Sequence, residues 1–195
     1  MPASPPDRPR RLVRSLLASP IAPLQLFTDE DGAVRVLDFD ADSPRTARLM
    51  ARWYGGAPVE AGPAPTAVRA EMDAYFDGDL TALGRVRWAV VGTDFQKTVW
   101  RALLDIPAGT TTTYGTLAAR IGRPAAVRAV GLANGANPVG VVIPCHRVIG
   151  ANGGLTGYGG GLERKRWLLA HEAGGLKRPT PCVLRHAPAA LLSMT

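Results

Sequence analysis

The sequence is poor in the residues that usually carry chemistry, and each shortage excludes something. Only two cysteines and three histidines occur in 195 residues, and the first of either kind is Cys145. A zinc site is therefore not expected, because no paired Cys or His spacing exists in the first two thirds of the chain. Cys145 and Cys182 stand far apart, and no signal-peptide pattern is read at the start, so free thiols in a reducing, cytoplasmic setting are expected. No apolar run approaches the ~18 residues of a membrane span, so no membrane partner is expected. What the chain does have is a surplus of basic residues. Lys and Arg number 23 against 16 Asp and Glu, a formal charge of +7 that suits a polyanionic partner.

The scarce residues meet at one place. Val142-Ile143-Pro144-Cys145-His146-Arg147-Val148-Ile149 sets a Cys and a His side by side within an aliphatic run. Val141 to Ile143 read as a buried strand that Pro144 stops, since proline cannot continue a sheet ladder. The chain then turns and leaves a thiol at the turn. An unperturbed thiol has a pKa of roughly 8.5, so it needs a base or a cation to act near neutral pH. His146 is the candidate base, and Arg147 adds positive potential. The pattern alone leaves a nucleophile and a small buried core residue equally open.

The first twenty residues, rich in Pro, Ser and Arg, read as an unstructured extension (1–20). From Pro23 to Phe39 weak alternation around Asp29-Glu30-Asp31-Gly32 predicts a β-hairpin. Arg45 to Tyr54 reads as a short helix, Gly55 to Pro65 as a Gly/Pro connector, and Thr66 to Phe76 as an amphipathic helix. These pieces form an α/β N-terminal domain (21–91) in which no catalytic residue stands out.

The remainder (92–175) reads as mainly α-helical. Thr93 and Gln96 form a capping box ahead of the apolar stripe Phe95, Val99, Trp100, Leu103. A threonine run caps a second helix, about Tyr114 to Ile121, and Pro124 opens a third that runs to about Gly135. Two short helices joined by a glycine turn suggest a helix-turn-helix. On the third, Ala126, Val127, Val130 and Ala133 are assigned to the core, and Arg128, Gly131, Leu132 and Gly135 to another face. Glycines there admit a close backbone, and Arg128 projects into what approaches, which favours nucleic acid. The alternative is a helix packed on its neighbour with Arg128 solvated. Gly153 to Gly161 is a glycine-dense loop without the Lys-Ser/Thr ending of a phosphate loop, and reads either as a lid or pocket wall with Tyr158 as a platform for a flat ligand or as a plain surface loop. In the last helix, Leu162 to Glu172, Lys165 and Glu172 share a face. Glu172 there is placed to orient a histidine, although exposed helical charges usually do nothing of the kind. Residues 176–195 read as a flexible tail.

Together these segments resemble the O6-alkylguanine-DNA alkyltransferases, the suicide repair proteins that accept an alkyl group on a cysteine. The resemblance runs through Gly92-Thr93-x-Phe95-Gln96, Ile106-Pro107-x-Gly109, Thr113-Tyr114 and Arg128-Ala129-Val130-Gly131. It continues through Asn137-Pro138, the run from Ile143 to Ile149, Gly157-Tyr158-x-Gly160-Gly161 and Lys165-x-x-Leu168-Leu169-x-x-Glu172. It implies stoichiometric, irreversible transfer of an alkyl group from O6-alkylguanine, with O4-alkylthymine a further substrate class, in double-stranded DNA bound through its minor groove by a monomer without cofactor. Cys145 would be the acceptor, with His146 and Glu172 its activating relay through water, Asn137 holding the turn and Tyr114 contacting the flipped base. Arg128 would fill the gap left by that base, with Ala129, Gly131, Gly135 and Thr113 along the DNA. Tyr114, Val148, Tyr158, Gly159, Lys165 and Asn134 would form the base pocket. Two departures stand out. The N-terminal Cys and His ligands that hold structural zinc in some members are lacking, and Gly159 replaces a hydroxyl residue of some relatives. The runner-up is a non-enzymatic member that binds alkylated DNA and recruits other repair factors, which would be expected to lack the cysteine that is present here as Cys145. A Cys/His hydrolase is disfavoured because adjacent side chains at a turn do not easily face each other.

Extruding a stacked base costs a few kcal/mol in a duplex and nothing for a free base. Arg128→Ala is therefore expected to slow repair of methylated duplex while leaving reaction with free O6-methylguanine nearly unchanged. Equal losses in the two single-turnover assays would make Arg128 a structural residue.

Overall fold

The computed structural model describes residues 8–40 and 43–174. The expected tail lies outside these residues. Strands β1 (Leu12–Leu17), β2 (Leu24–Thr28) and β3 (Val34–Phe39) are followed by α1 (Pro44–Tyr54), β4 (Val59–Ala61) and α2 (Thr66–Phe76). A 3-10 turn at Ala82–Arg85 leads to α3 (Asp94–Leu104), β5 (Thr112–Thr113), α4 (Tyr114–Arg120), α5 (Val127–Gly135), β6 (Val148–Ile149) and α6 (Leu162–Glu172). The four-stranded sheet has the order β3-β2-β1-β4, antiparallel except where β4 runs parallel to β1.

The hairpin, α1, α2 and the capping box of α3 form as the sequence predicts. The hairpin turn is fixed by Asp29, whose Oδ1 accepts from the N–H groups of Asp31 and Ala33, and by Gly32 at φ +74°. Alternation in β2 and β3 is weak because every residue of both strands is buried. Two apolar clusters account for this, a large one and a small one made of Leu12, Phe27, Val36 and Tyr54.

Several expectations are corrected. The N-terminal extension does not reach residue 20, because Leu12–Leu17 lies between β2 and β4 with Leu12 and Leu17 buried. Its Arg14 and Ser15 obscure the strand pattern, but Ser15 Oγ is satisfied by the Gly62 carbonyl. The connector 55–65 contains β4, all of whose residues are exposed, so no apolar signal marks it. Val141 to Ile143 is not a strand. Val142 N–H bonds to Gly140 O and Cys145 N–H to Ile143 O, tight turns that use the backbone locally, and Val141 has φ +68°. On α5, Val127 is exposed rather than core, because the helix begins there after a 3-10 turn at Pro124–Ala126.

The free edge of β3 positions the segment that carries the thiol. Leu37 N–H donates to Pro138 O and Gly140 N–H to Leu37 O, docking the residues before Cys145 onto the sheet. The large apolar cluster runs from Leu24 and Leu37 through Trp100 to Val142, Ile143 and Leu168, so the N-terminal and C-terminal parts share it. Trp100, fully buried, donates from Nε1 to Ala133 O and ties α3 to α5. No helix among the described residues is long and apolar enough to cross a membrane.

A Leu-to-Ala change at a fully buried site costs about 2–5 kcal/mol. Leu12→Ala is expected to lose stability in that range in urea unfolding, whereas a residue in an unstructured extension would show no change.

Candidate active site

Pro144 ends the tight turns, and the 3-10 turn Cys145–Arg147 presents the three polar side chains inward. Cys145 is 5% exposed, and His146 is fully buried. Asn137 holds the turn from the side. Its Nδ2 donates to Ile143 O at 2.8 Å and its Oδ1 accepts from Val139 N–H at 3.0 Å. Asn134, also buried, donates weakly to Cys145 O at 3.4 Å.

Glu172 organises the space behind the thiol. Its Oε1 accepts from Tyr75 Oη (2.9 Å) and Arg147 Nη2 (2.8 Å) and lies 2.9 Å from His146 Nε2. Its Oε2 accepts from Arg147 Nε at 2.8 Å and from the Gly109 N–H at 3.3 Å. Arg147 also reaches Ile106 O at 2.6 Å. Gly109, at φ +75°, must be glycine for a second reason, since a Cβ there would stand 2.9 Å from Glu172 O.

The electrostatics follow from this packing. Burial works to raise the Glu172 carboxyl, but the bonds from His146 and Arg147 outweigh it and hold the group well below its ordinary value. Burial lowers the His146 imidazole, and the opposing Glu172 bond does not restore it. An ionised carboxylate only accepts, so Nε2 carries the His146 proton, and Nδ1 is left as a buried acceptor without a partner. Burial also raises the Cys145 thiol, against a lowering bond from Asn137 and the charges of Arg45 and Lys165. Both shifts favour the uncharged forms, a thiol beside a neutral imidazole. No hydrogen bond joins the two side chains among the described residues.

The thiol lies on the wall of a narrow pocket shared with Asn134, Gly135, Tyr158, Gly159, Asp38 and Arg45. The pocket shares Arg45, Gly135, Gly157 and Gly159 with a wider neighbouring groove that is also lined by Tyr114, Gly131 and Leu132. Tyr158 meets the His146 ring edge-on at 6.5 Å, and burial raises its phenol well above the ordinary value. Tyr114 Oη accepts from Thr156 Oγ1 at 3.3 Å.

Other candidates stand off the pocket. Val148 and Lys165 line neither space, because they are buried behind the wall. Lys165 Nζ donates to Val148 O at 2.6 Å and Thr156 O at 3.0 Å, so it pins the glycine loop. Thr113 caps α4 through its Oγ1, and Arg128 and Ala129 are exposed on α5. Sequence reasoning took Arg147 only as nearby positive potential, without its carboxylate partner, and missed three other participants. Arg147 carries a local signal, since a buried guanidinium needs a buried carboxylate. Tyr75, Arg45 and Asp38 carry none, because the N-terminal part was expected to hold nothing catalytic. Arg45 pairs with Asp38 and bonds to the Gly135 and Asn137 carbonyls, so that part forms one wall of the pocket.

With this geometry in place, the comparisons with known proteins define the class. Residues 94–174 match the family model "6-O-methylguanine DNA methyltransferase, DNA binding domain". A methylated-DNA–protein-cysteine methyltransferase of Salmonella typhimurium is 44% identical over 164 residues, 83% of this chain and 96% of that protein. One from Mycobacterium tuberculosis is 52% identical over 128 residues, 64% of this chain and 77% of that protein. A crystal structure of Mycobacterium tuberculosis OGT in complex with DNA superposes with a TM-score of 0.68 at 41% identity, covering 84% of this chain and 94% of that one. The chain belongs to the methylated-DNA–protein-cysteine methyltransferase family.

Removing one partner of a buried ion pair costs about 3–5 kcal/mol. Glu172→Gln, which strands the Arg147 guanidinium, is expected to lower stability by that order in thermal or urea unfolding. The parent protein is expected to weaken on acidification in two stages. Below pH 6.5 the unfolded chain protonates His146 before the folded one does, and below 4.5 it protonates Glu172 before the folded one does. Urea midpoints measured from pH 8 down to pH 3 check this, and the lower stage should shrink in Glu172→Gln, leaving the smaller share of exposed carboxylates such as Asp79, whose bonds to Arg85 and Thr81 lower it to about 2.

Proposed function

We propose that the protein repairs DNA by moving an alkyl group from O6-alkylguanine onto its own Cys145, once per molecule and without a cofactor. One observation carries the reading: a buried thiol on a pocket wall, backed by an imidazole whose Glu172-fixed tautomer leaves Nδ1 open to a proton. The Cys145 sulfur attacks the alkyl carbon, the C–O6 bond breaks, and the guanine leaves as a base that needs one proton. The thiol proton passes to His146 Nδ1, directly or through a water, and Glu172 stabilises the imidazolium. Tyr114 accepts from Thr156, so its own hydroxyl proton is available to the departing oxygen. The His146 imidazolium then returns its proton through water to the Tyr114 oxygen, so that overall one proton moves from thiol to guanine and both side chains end neutral. A neutral resting thiol keeps the nucleophile quiet until a substrate fills the pocket. Among the described residues Cys145 is the one thiol, with none beside it to take the alkyl group onward, so the reaction is read as ending at S-alkylcysteine.

The α4–α5 pair, joined by residues 121–126, serves as a helix-turn-helix with α5 in the minor groove. A target base must leave the stack to reach the pocket. Arg128, exposed on α5, takes its place, while Gly131 and Gly135 let the backbone approach. Asn137 and Asn134 hold the acceptor turn, and Lys165 and Val148 fix the loop that carries Tyr158 and Gly159. The protein acts as a monomer, in a reducing compartment that keeps its thiol free.

Incubation with methylated duplex should add one methyl to the Cys145 peptide and none to the Cys182 peptide in mass mapping. Repeated turnover by one molecule would overturn the reading. Cys145→Ala should still bind duplex. General-base assistance contributes roughly 10²-fold or more, so His146→Ala should slow transfer by at least about that factor at pH 7. The deficit should shrink as rising pH ionises the burial-raised thiol. A His146→Ala rate and pH midpoint equal to the parent's would place activation elsewhere.

A further inference from the structure

The groove beside the thiol pocket, which shares Arg45, Gly135, Gly157 and Gly159 with it, has two banks, and only one belongs to the C-terminal part. Tyr114, Gly131 and Leu132 form the first, and Leu132 is 71% exposed there. The second is α1, which lines the groove with Arg45, Arg48 and Arg52. The spacings of three and four residues put the three guanidinium groups on one face of the helix. Arg45 sits at the pocket mouth, bound to Asp38 and to backbone carbonyls, and lines both the pocket and the groove. Arg48 and Arg52 continue outward and are exposed, with the Arg52 guanidinium stacked over Trp53 at 4.7 Å. Among the described residues, no Asp or Glu lines this groove. Its opening is thus cationic on one side and apolar and glycine-lined on the other, which suits a nucleotide whose base goes inward and whose phosphates stay at the mouth.

We infer that α1 is a second DNA contact surface, in which Arg48 and Arg52 meet backbone phosphates beside the nucleotide that enters the pocket. The inference rests on the alkyl-transfer reading above. It assigns the N-terminal part a share of duplex binding that carries no sequence information, because point contacts to phosphate position the DNA without reading bases.

Each neutralised phosphate contributes a slope of about −0.9 to the dependence of log K on log salt. In the full chain, Arg48→Gln and Arg52→Gln should each reduce the magnitude of the slope for duplex binding by about one, and the pair by about two. The losses should be equal for two unrelated duplex sequences. Arg48→Lys with Arg52→Lys should retain the parent slope, and transfer from free O6-methylguanine to Cys145 should be unchanged throughout. An unaltered slope in the double Gln variant overturns the inference and leaves alkyl transfer standing. So does an equal loss with free base that the Lys pair does not rescue, which would make α1 structural. Failure of the parent protein to accept a methyl from duplex or free base would instead sink the underlying reading.

Discussion

The carboxylate of Glu172 is the constraint on which the rest of the site depends. Five donor groups on four residues, from three parts of the chain, converge on two oxygen atoms: Tyr75 of α2, Gly109 of the loop after α3, and His146 and Arg147 of the acceptor turn, the last of these donating twice. An ion buried without such partners is prohibitively unstable in a protein interior, and one fully supplied with them locks its surroundings in place. The same carboxylate fixes the His146 tautomer, anchors the Arg147 side chain and halts α6 against Gly109. Fold and chemistry are therefore not separable here. The contact that keeps α6 docked is also the contact that decides which imidazole nitrogen is basic.

The acceptor turn is held under local strain by its neighbours. Val141 is a β-branched residue at φ +68°, a conformation that persists only where packing over-determines it. The surroundings do so: Gly140 and Pro138 are bonded to Leu37 of the sheet edge, Asn137 clamps Ile143 and Val139, and the Val141 side chain is fully buried. A turn fixed at so many points puts the sulfur in one place, which a displacement reaction requires. The glycines opposite serve the same geometry. A Cβ at Gly159 would collide with the Arg45 guanidinium, and one at Gly160 would meet the Phe39 ring at 2.6 Å. The hydroxyl residue that some relatives carry in place of Gly159 would have to displace Arg45 in this chain.

Legibility in the sequence depends on how far apart along the chain the interacting residues lie. Contiguous signals were legible: the capping box of α3, the threonine cap of α4, the extent of α2, and the Pro-Cys-His-Arg turn. Each depends on residues within about one helical turn of one another, where local propensity and capping dominate. The resemblance carried by those segments also named the acceptor, its histidine and the distant Glu172. It did so by motif, since nothing in the spacing of residues 146 and 172 brings them together.

What the sequence by itself determined is thus the class of chemistry, through the resemblance its motifs carry, and the elements that bear it. Scarce Cys and His narrowed the places for a nucleophile and base without choosing between a reactive and a core thiol. Only the tertiary structure decided which charge forms of the pair are favoured and the membership of its surroundings. Burial raises the thiol and lowers the imidazole, and burial is a property of the packed molecule, not of any local segment. Tyr75, Arg45 and Asp38 entered the site across long sequence separations, from an N-terminal part whose pattern gave no sign of chemistry. Strand β1 was hidden for a related reason, since a strand flanked by partners on both sides can carry Arg14 and Ser15 once other backbones and side chains satisfy them.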